Sequence, residues 1–436
     1  MALDDIHFQP LMTVAKHIEN RDISPVELTE AILSRIETHN PSLHAYTTVT
    51  VELAMAQARQ AETEIGKGMY RGPMHGIPIA VKDLCFTKGI TTTGGMTIHA
   101  DFKPDHDATV VSKLATAGSV LLGKLHMTEG ATLEHHPELP EPVNPWKSDL
   151  WTGVSSSGSG VSAAAGLAYA TIGSDTGGSI RFPSACHGLT GVKPTWGLIS
   201  RFGIFDLAAT FDHLGPMARS AADAAAMLQT LAGWDAKDTT TLPGAVPDYL
   251  GTLDGVHGAR GVHIGLDWDY AATDADPVTI GFIEDAVRVL GDIGALTRPV
   301  KFPSTDPLLA YTMPMTMAET AAHHDKTYPS QADRYGPSFA GMIETGRTAD
   351  PVLIGHGMVE RQKFRGAVVA MFEEIEVFVM PVFRKGTPTW SEVRAAVAED
   401  FSIIGKFTSP FNATGTPTVT LPCGYTEDGR PVAFQL

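Results

Sequence analysis

The chain has 436 residues, of which 43% are hydrophobic and 19% charged, and its formal net charge is −17. That length and apolar content suffice for a large buried core, while the negative balance and the lack of any basic run argue against a nucleic-acid partner. Three scattered cysteines (Cys85, Cys186 and Cys423) cannot frame a disulfide scaffold, and no stretch approaches the roughly 18–20 apolar residues of a membrane span. With acidic residues at Asp4 and Asp5 and no leader-like apolar run, the expectation is a soluble cytoplasmic protein.

The elements follow in chain order. Ser24-Pro25-Val26-Glu27 reads as a capping box with proline at the first helical position. Val26, Leu28, Ile32, Leu33 and Ile36 recur behind it at helical spacing, and the pattern predicts an end near Asn40-Pro41. A second helix is expected over 51–66. The apolar run at 76–81 reads as a buried strand that delivers Lys82 and Asp83 at its C-terminal end. A helix near 107–117 and a strand at 119–123 follow. Residues 158–168 form a helix of Gly, Ser and Ala suited to close packing, and Ala170–Gly173 a strand. Further helices are predicted at 220–232 and 276–292, and strands at 261–266, 376–380 and 418–422. Such alternation favours one α/β domain with a central mixed, mostly parallel sheet covered by helices on both faces. Within it we expect a helical layer over about 1–70, a catalytic core over about 71–235, a peripheral and pocket region over about 236–405 and returning strands over about 406–436. The run Pro431–Leu436 reads as mid-strand, which suggests that further C-terminal residues belong to the protein.

Two nucleotide-binding patterns are weak. Gly118–Lys124 has most of a P-loop, but Leu125 stands where a Mg²⁺-binding hydroxyl belongs. Gly158-x-Gly160-x-x-Ala163 follows serines instead of an apolar strand. His126, His135, His136, His323 and His324 lack metal-ligand spacing, since adjacent histidines point apart. No cofactor and no metal are expected.

Gly153–Arg181 is more informative. It reads G-V-S-S-S-G-S-G, then an alanine-rich run, then G-S-D-T-G-G-S-I-R. The serine run alone could be a flexible linker, yet tryptophans and an apolar helix flank it. Asp175–Arg181 follows a strand, and its two glycines free the backbone to present consecutive N–H groups to a developing oxyanion. Asp175 and Arg181 could pair to brace that loop, or be ordinary solvated charges. A serine hydroxyl needs a base, and no histidine is in either motif. Lys82 is by default a surface charge. Buried among Ile, Ala and Val it would lose its proton more readily and could serve.

Together these residues resemble the amidase signature family of serine hydrolases, from the N-terminal helices to the T-S-P-F-N-A-T-G-T-P-T-V-T-L-P-C-G segment at 408–424. The resemblance implies a catalytic Lys82 in Val81-Lys82-Asp83, a bridging Ser155 and a nucleophilic Ser179, 24 positions further on. It also implies an oxyanion hole from the N–H groups of Thr176, Gly177, Gly178 and Ser179, and a cis bond before Ser155. Val154 departs from the family's usual glycine at that bond. Glutamine-using relatives that serve tRNA amidation carry an acidic residue before the T-x-P-x-N segment; Gly405, beside Lys406, argues against that role here. Met127, Tyr311, Met313, Met315, Met317 and Phe401 are candidate pocket walls, which implies a small apolar or aromatic amide, with anilides, esters and carbamates open to the same chemistry. The family leaves a homodimer open. The other readings are a non-catalytic or glutamine-amidotransferase-type subunit on the same fold, and a nucleotide-binding protein using Gly118–Lys124.

Overall fold

Among the described residues eleven short strands carry the architecture: β1 (Tyr46–Val49), β2 (Pro78–Lys82), β3 (Val120–Leu125), β4 (Ala170–Asp175), β5 (Thr190–Lys193), β6 (His213–Ala218), β7 (His263–Leu266), β8 (Leu296–Pro299), β9 (Val377–Pro381), β10 (Thr418–Tyr425) and β11 (Pro431–Gln435). They form one sheet in the order β1-β3-β2-β4-β6-β5-β10-β11-β9-β7-β8. The computed structural model describes residues 3–253, 258–273, 275–400 and 402–436. The α/β class with a mixed sheet is as expected, but parallel pairing does not prevail. It is confined to two groups, β3-β2-β4 and β9-β7-β8. Antiparallel pairing joins them through β6, β5, β10 and β11, which the regular helix–strand alternation did not foreshadow.

Local signals explain the elements around the site. Every residue of β2 is buried, as befits an inner parallel strand flanked by β3 and β4. The helix Pro25–Leu43 starts with the expected capping box, Ser24 accepting from the N–H groups of Val26 and Glu27 while Glu27 accepts from that of Ser24. It ends beyond the predicted boundary, with Pro41 inside its last turn and His44 as a left-handed cap (φ 51°). Proline's fixed φ is helical, but there it removes one N–H donor and its ring crowds the carbonyl of Glu37. The Asn40 side chain then fastens the chain to both backbone polar groups of Tyr46.

The helix Ser157–Ala164 lies against β4 with little space between. Ser159 Oγ donates to Ile172 O at 3.0 Å, and Thr171 Oγ1 to Ser159 O at 3.1 Å. On the helix's first turn, a Cβ at Gly158 would collide with the backbone of Ala45 and His126, so this glycine lets the helix approach the segments that precede β1 and follow β3. In the peripheral region, three long helices (Asp306–His323, Pro337–Arg347 and Pro351–Phe372) stand where the sequence showed no clear period. Among the described residues no helix is long and apolar enough to cross a membrane, and the three cysteines are free.

Candidate active site

Lys82 is the last residue of β2 and is fully buried. Its Nζ lies 2.6 Å from Ser155 Oγ and 2.7 Å from Ser174 Oγ. Pairing of β2 with β4 (Val81 opposite Ile172) brings Ser174 to this amine. Burial pulls the Lys82 ammonium down to about 7, against the opposing pull of Cys85, Asp212 and Asp175. Burial thus favours the neutral amine, the form that can accept a proton.

Ser155 opens the turn into the helix Ser157–Ala164, and the Val154–Ser155 peptide bond is cis with valine in place. The neighbouring serines have other work. Ser156 Oγ donates to Ser174 O and accepts from Ser174 N–H, both at 3.2 Å, and Ser157 Oγ meets His135 Nε2 at 3.0 Å. The run is thus a fastening of helix to sheet in which Ser155 alone reaches Lys82.

Ser179 sits in the loop between β4 and the helix Arg181–His187. Asp175 anchors that loop. Its carboxylate accepts from the N–H groups of Gly178 (2.8 Å) and Ile180 (3.1 Å), from Arg181 Nε (3.0 Å) and NH2 (2.9 Å), and from Asn412 Nδ2 (2.8 Å). Burial alone would raise this carboxyl; the Arg181 guanidinium and these hydrogen bonds more than offset it and hold it well below the usual range. Both partners are fully buried. The braced pair is therefore the correct reading of the two charges. Arg181→Leu would leave an unpaired buried carboxylate, and a loss of about 3–5 kcal/mol in urea unfolding is expected.

The loop differs from expectation at Gly178. Its N–H is committed to Asp175 Oδ1, so it is not free to hold a reacting oxygen. Thr176, Gly177 and Ser179, by contrast, all line a cavity of about 450 Å³, within the range of small-molecule sites. Among the described residues no hydrogen bond joins Ser179 Oγ to Ser155 Oγ. Such links are often long in unliganded enzymes.

The cavity is apolar. Val154 and Phe182 flank the serine loop, Ala131–Glu134 form one side, and Met313, Met317 and Met342 face them. Thr312, Thr316 and Thr345 also line it, but each hydroxyl is occupied, donating to the carbonyl four residues earlier. Glu134 is paired with Arg394 at 3.6 Å. Of the predicted walls, Met313 and Met317 are present. Met127 and Met315 are buried in two different core clusters, and Tyr311 packs against the second. Helical geometry explains this: 312, 313, 316 and 317 share one face, from which 311 and 315 are rotated. Phe401 lies outside the described residues.

The decoys resolve structurally. Lys124 is buried in β3, its Nζ donating to Cys85 O and to Thr92 Oγ1 (2.7 Å), 3.4 Å from Asp83 Oδ1, and cannot reach a phosphate. Among the described residues no three metal-binding side chains cluster. Sequence reasoning missed two polar groups, Ser174 and Asp212. Ser174 had a weak signal, lying between the predicted strand Ala170–Gly173 and Asp175; Asp212 had none.

A family model described as Amidase matches residues 27–436. The chain is 43% identical over 435 residues to the "Putative amidase AmiD" of Mycobacterium tuberculosis, covering 99% of this chain and 90% of that protein. It is 33% identical over 461 residues to a glutamyl-tRNA(Gln) amidotransferase subunit of Chloroflexus aurantiacus, covering 100% and 93% respectively. Among solved structures it is similar to the native peptide amidase from Stenotrophomonas maltophilia, with a TM-score of 0.83, 27% identity and coverage of 100% of this chain and 94% of that one.

Proposed function

Since this chain belongs to the amidase family, we propose that it hydrolyses small uncharged apolar or aromatic amides through an acyl-enzyme on Ser179. The observation that carries this reading is the Lys82–Ser155 contact of 2.6 Å, made by a buried amine beside the loop that presents Ser179 to an apolar cavity. In the proposed sequence, neutral Lys82 takes the Ser155 proton and Ser155 takes that of Ser179. Ser179 Oγ bonds to the carbonyl carbon, and the carbonyl π pair moves to oxygen. The N–H groups of Gly177 and Ser179, with that of Thr176, are the candidates to receive this oxyanion. The C–N bond then breaks, and the proton returns through Ser155 to the leaving amine. Water repeats the relay on the ester, releasing the acid and free Ser179. Esters, anilides and carbamates pass through the same oxyanion.

Support for an uncharged substrate comes from the wall itself. Among the described lining residues the threonine hydroxyls are internally bonded and the one carboxylate, Glu134, is paired. Gly405 lines the cavity where the glutamine-using relatives are expected to carry an acidic residue, and a side chain there would run into Ser409 Oγ. The test is a hydrolysis screen over aliphatic carboxamides, anilides, carbamates, esters and glutamine. Turnover is expected for the neutral apolar members. Turnover of glutamine alone would overturn the reading. Met317→Asp is expected to raise KM for a neutral anilide about tenfold or more, since it sets a carboxylate against an apolar ligand, while changing kcat far less.

A further inference from the structure

Asp212 is buried, immediately precedes β6, and makes no ion pair among the described residues. Because Asp175 pairs with His213 across β4 and β6, the next residue of each strand, Thr176 and Asp212, come face to face. Thr176 Oγ1 donates to Asp212 Oδ1 at 2.5 Å. The other oxygen, Oδ2, accepts from the N–H groups of Leu207 (2.8 Å) and Ala208 (3.0 Å). Leu207 lines the cavity, and its carbonyl in turn accepts from Thr320 Oγ1 (3.1 Å) on the helix that bears Met313 and Met317. One carboxylate thus ties the serine loop to two walls of the cavity.

Resting on the acyl-enzyme reading, we infer that Asp212 is a positioning residue, which holds Thr176 and its backbone at the oxyanion position through this hydrogen-bonded bridge. A carboxylate suits the task because its two oxygens accept from both sides at once, which no neutral side chain can do without presenting a hydrogen to one of them.

Asp212 also belongs to the electrostatics of the base. Burial raises its carboxyl to about 7, Asp206 adds to that, and the Thr176 hydroxyl, Arg201 and the Leu207 N–H pull the other way. Arg201 is itself paired with Asp206 at 3.1 Å. Asp212 in turn favours the charged form of Lys82, as do Cys85 and Asp175. Removing its charge therefore makes the Lys82 ammonium easier to deprotonate, and the acid side of any Lys82-dependent reaction moves to lower pH. A side chain that merely supported the fold would not move that midpoint.

The probe is covalent labelling by an aryl sulfonyl fluoride, read as a rate against pH. Asp212→Asn is expected to label about tenfold or more slowly, because oxyanion donors are worth about 10²–10³ and this variant misplaces one without deleting it. Its acid-side midpoint is expected below that of the wild type. Labelling within twofold of wild type, or slower labelling at an unchanged midpoint, overturns the inference. Should Asp212→Asn fail to fold, Thr176→Val severs the same bridge at matched volume and is expected to label about tenfold more slowly; a wild-type rate there overturns it equally. Folded wild-type protein that never labels overturns the acyl-enzyme reading and this inference together, whereas a labelled wild type with an indifferent Asp212→Asn removes this inference alone.

Discussion

Ser179→Ala is expected to reduce amide turnover by about 10⁴-fold or more, since losing a nucleophile disables the whole relay and leaves only binding and oxyanion stabilisation. The same variant should abolish sulfonyl fluoride labelling. Its folding should hardly change. Ser179 lines the cavity, and its Oγ makes no hydrogen bond among the described residues. The loop is instead braced by Asp175, Arg181 and Asn412, none of which the substitution touches. A change in unfolding free energy within about 0.5 kcal/mol is therefore expected. Turnover above about one hundredth of wild type, with folding intact, would show that Ser179 is not the nucleophile.

Substitution of Lys82 should be nearly as damaging, and it separates proton transfer from charge. Lys82→Met removes the base, and a loss of about 10³-fold or more in kcat is expected from the lost proton transfer. It also leaves the buried hydroxyls of Ser155 and Ser174 short of a partner, which adds a stability cost of about 1–3 kcal/mol. Lys82→Arg retains positive charge but cannot surrender a proton at any working pH, so it is expected to be as inactive as the methionine variant. In the proposed relay the working form is the neutral amine. Burial lowers its titration to about 7, so kcat/KM is expected to be low below pH 6, to rise through about 7 and to level off above it. A rate that falls as pH rises through 7, or an active Lys82→Arg, would exclude Lys82 as the base.

Much of this site was legible because its parts are local. The capping box at Ser24, the apolar run into Lys82 and the serine and glycine motifs each declare themselves within a few residues. The polar brace was legible only as one of two readings, since Asp175 and Arg181 flank one loop but could equally have been solvated charges. What escaped was set by distant packing. β6 reads His-Leu-Gly-Pro-Met-Ala, and its glycine and proline hide a strand whose pairing with β4 and β5 supplies what its composition does not. Pro314 and alternating threonine and methionine blur the helix Asp306–His323. Pro351–Phe372 exposes Val352, Val359 and Val369, so its apolar period does not mark a core face. Helix rotation then decided which methionines reach the cavity, something the sequence carries only once helix limits are known. Asp212 was invisible for the same reason, since its partners lie across the β4–β6 pairing.

The bracing of Arg181 has a kinetic consequence. Its guanidinium donates to Thr408 O and Asn412 Oδ1 as well as to Asp175, and Gln435 Oε1 lies within reach. These partners stand more than 220 residues further along the chain. The serine loop therefore acquires its shape only after one of the longest-range closures in the molecule, the docking of the segment that holds β10 and β11 against β5. Contacts of such separation form slowly and late. Catalytic competence should accordingly appear as a final event of refolding, lagging behind recovery of secondary structure, so that enzymatic activity counts only the molecules that have finished.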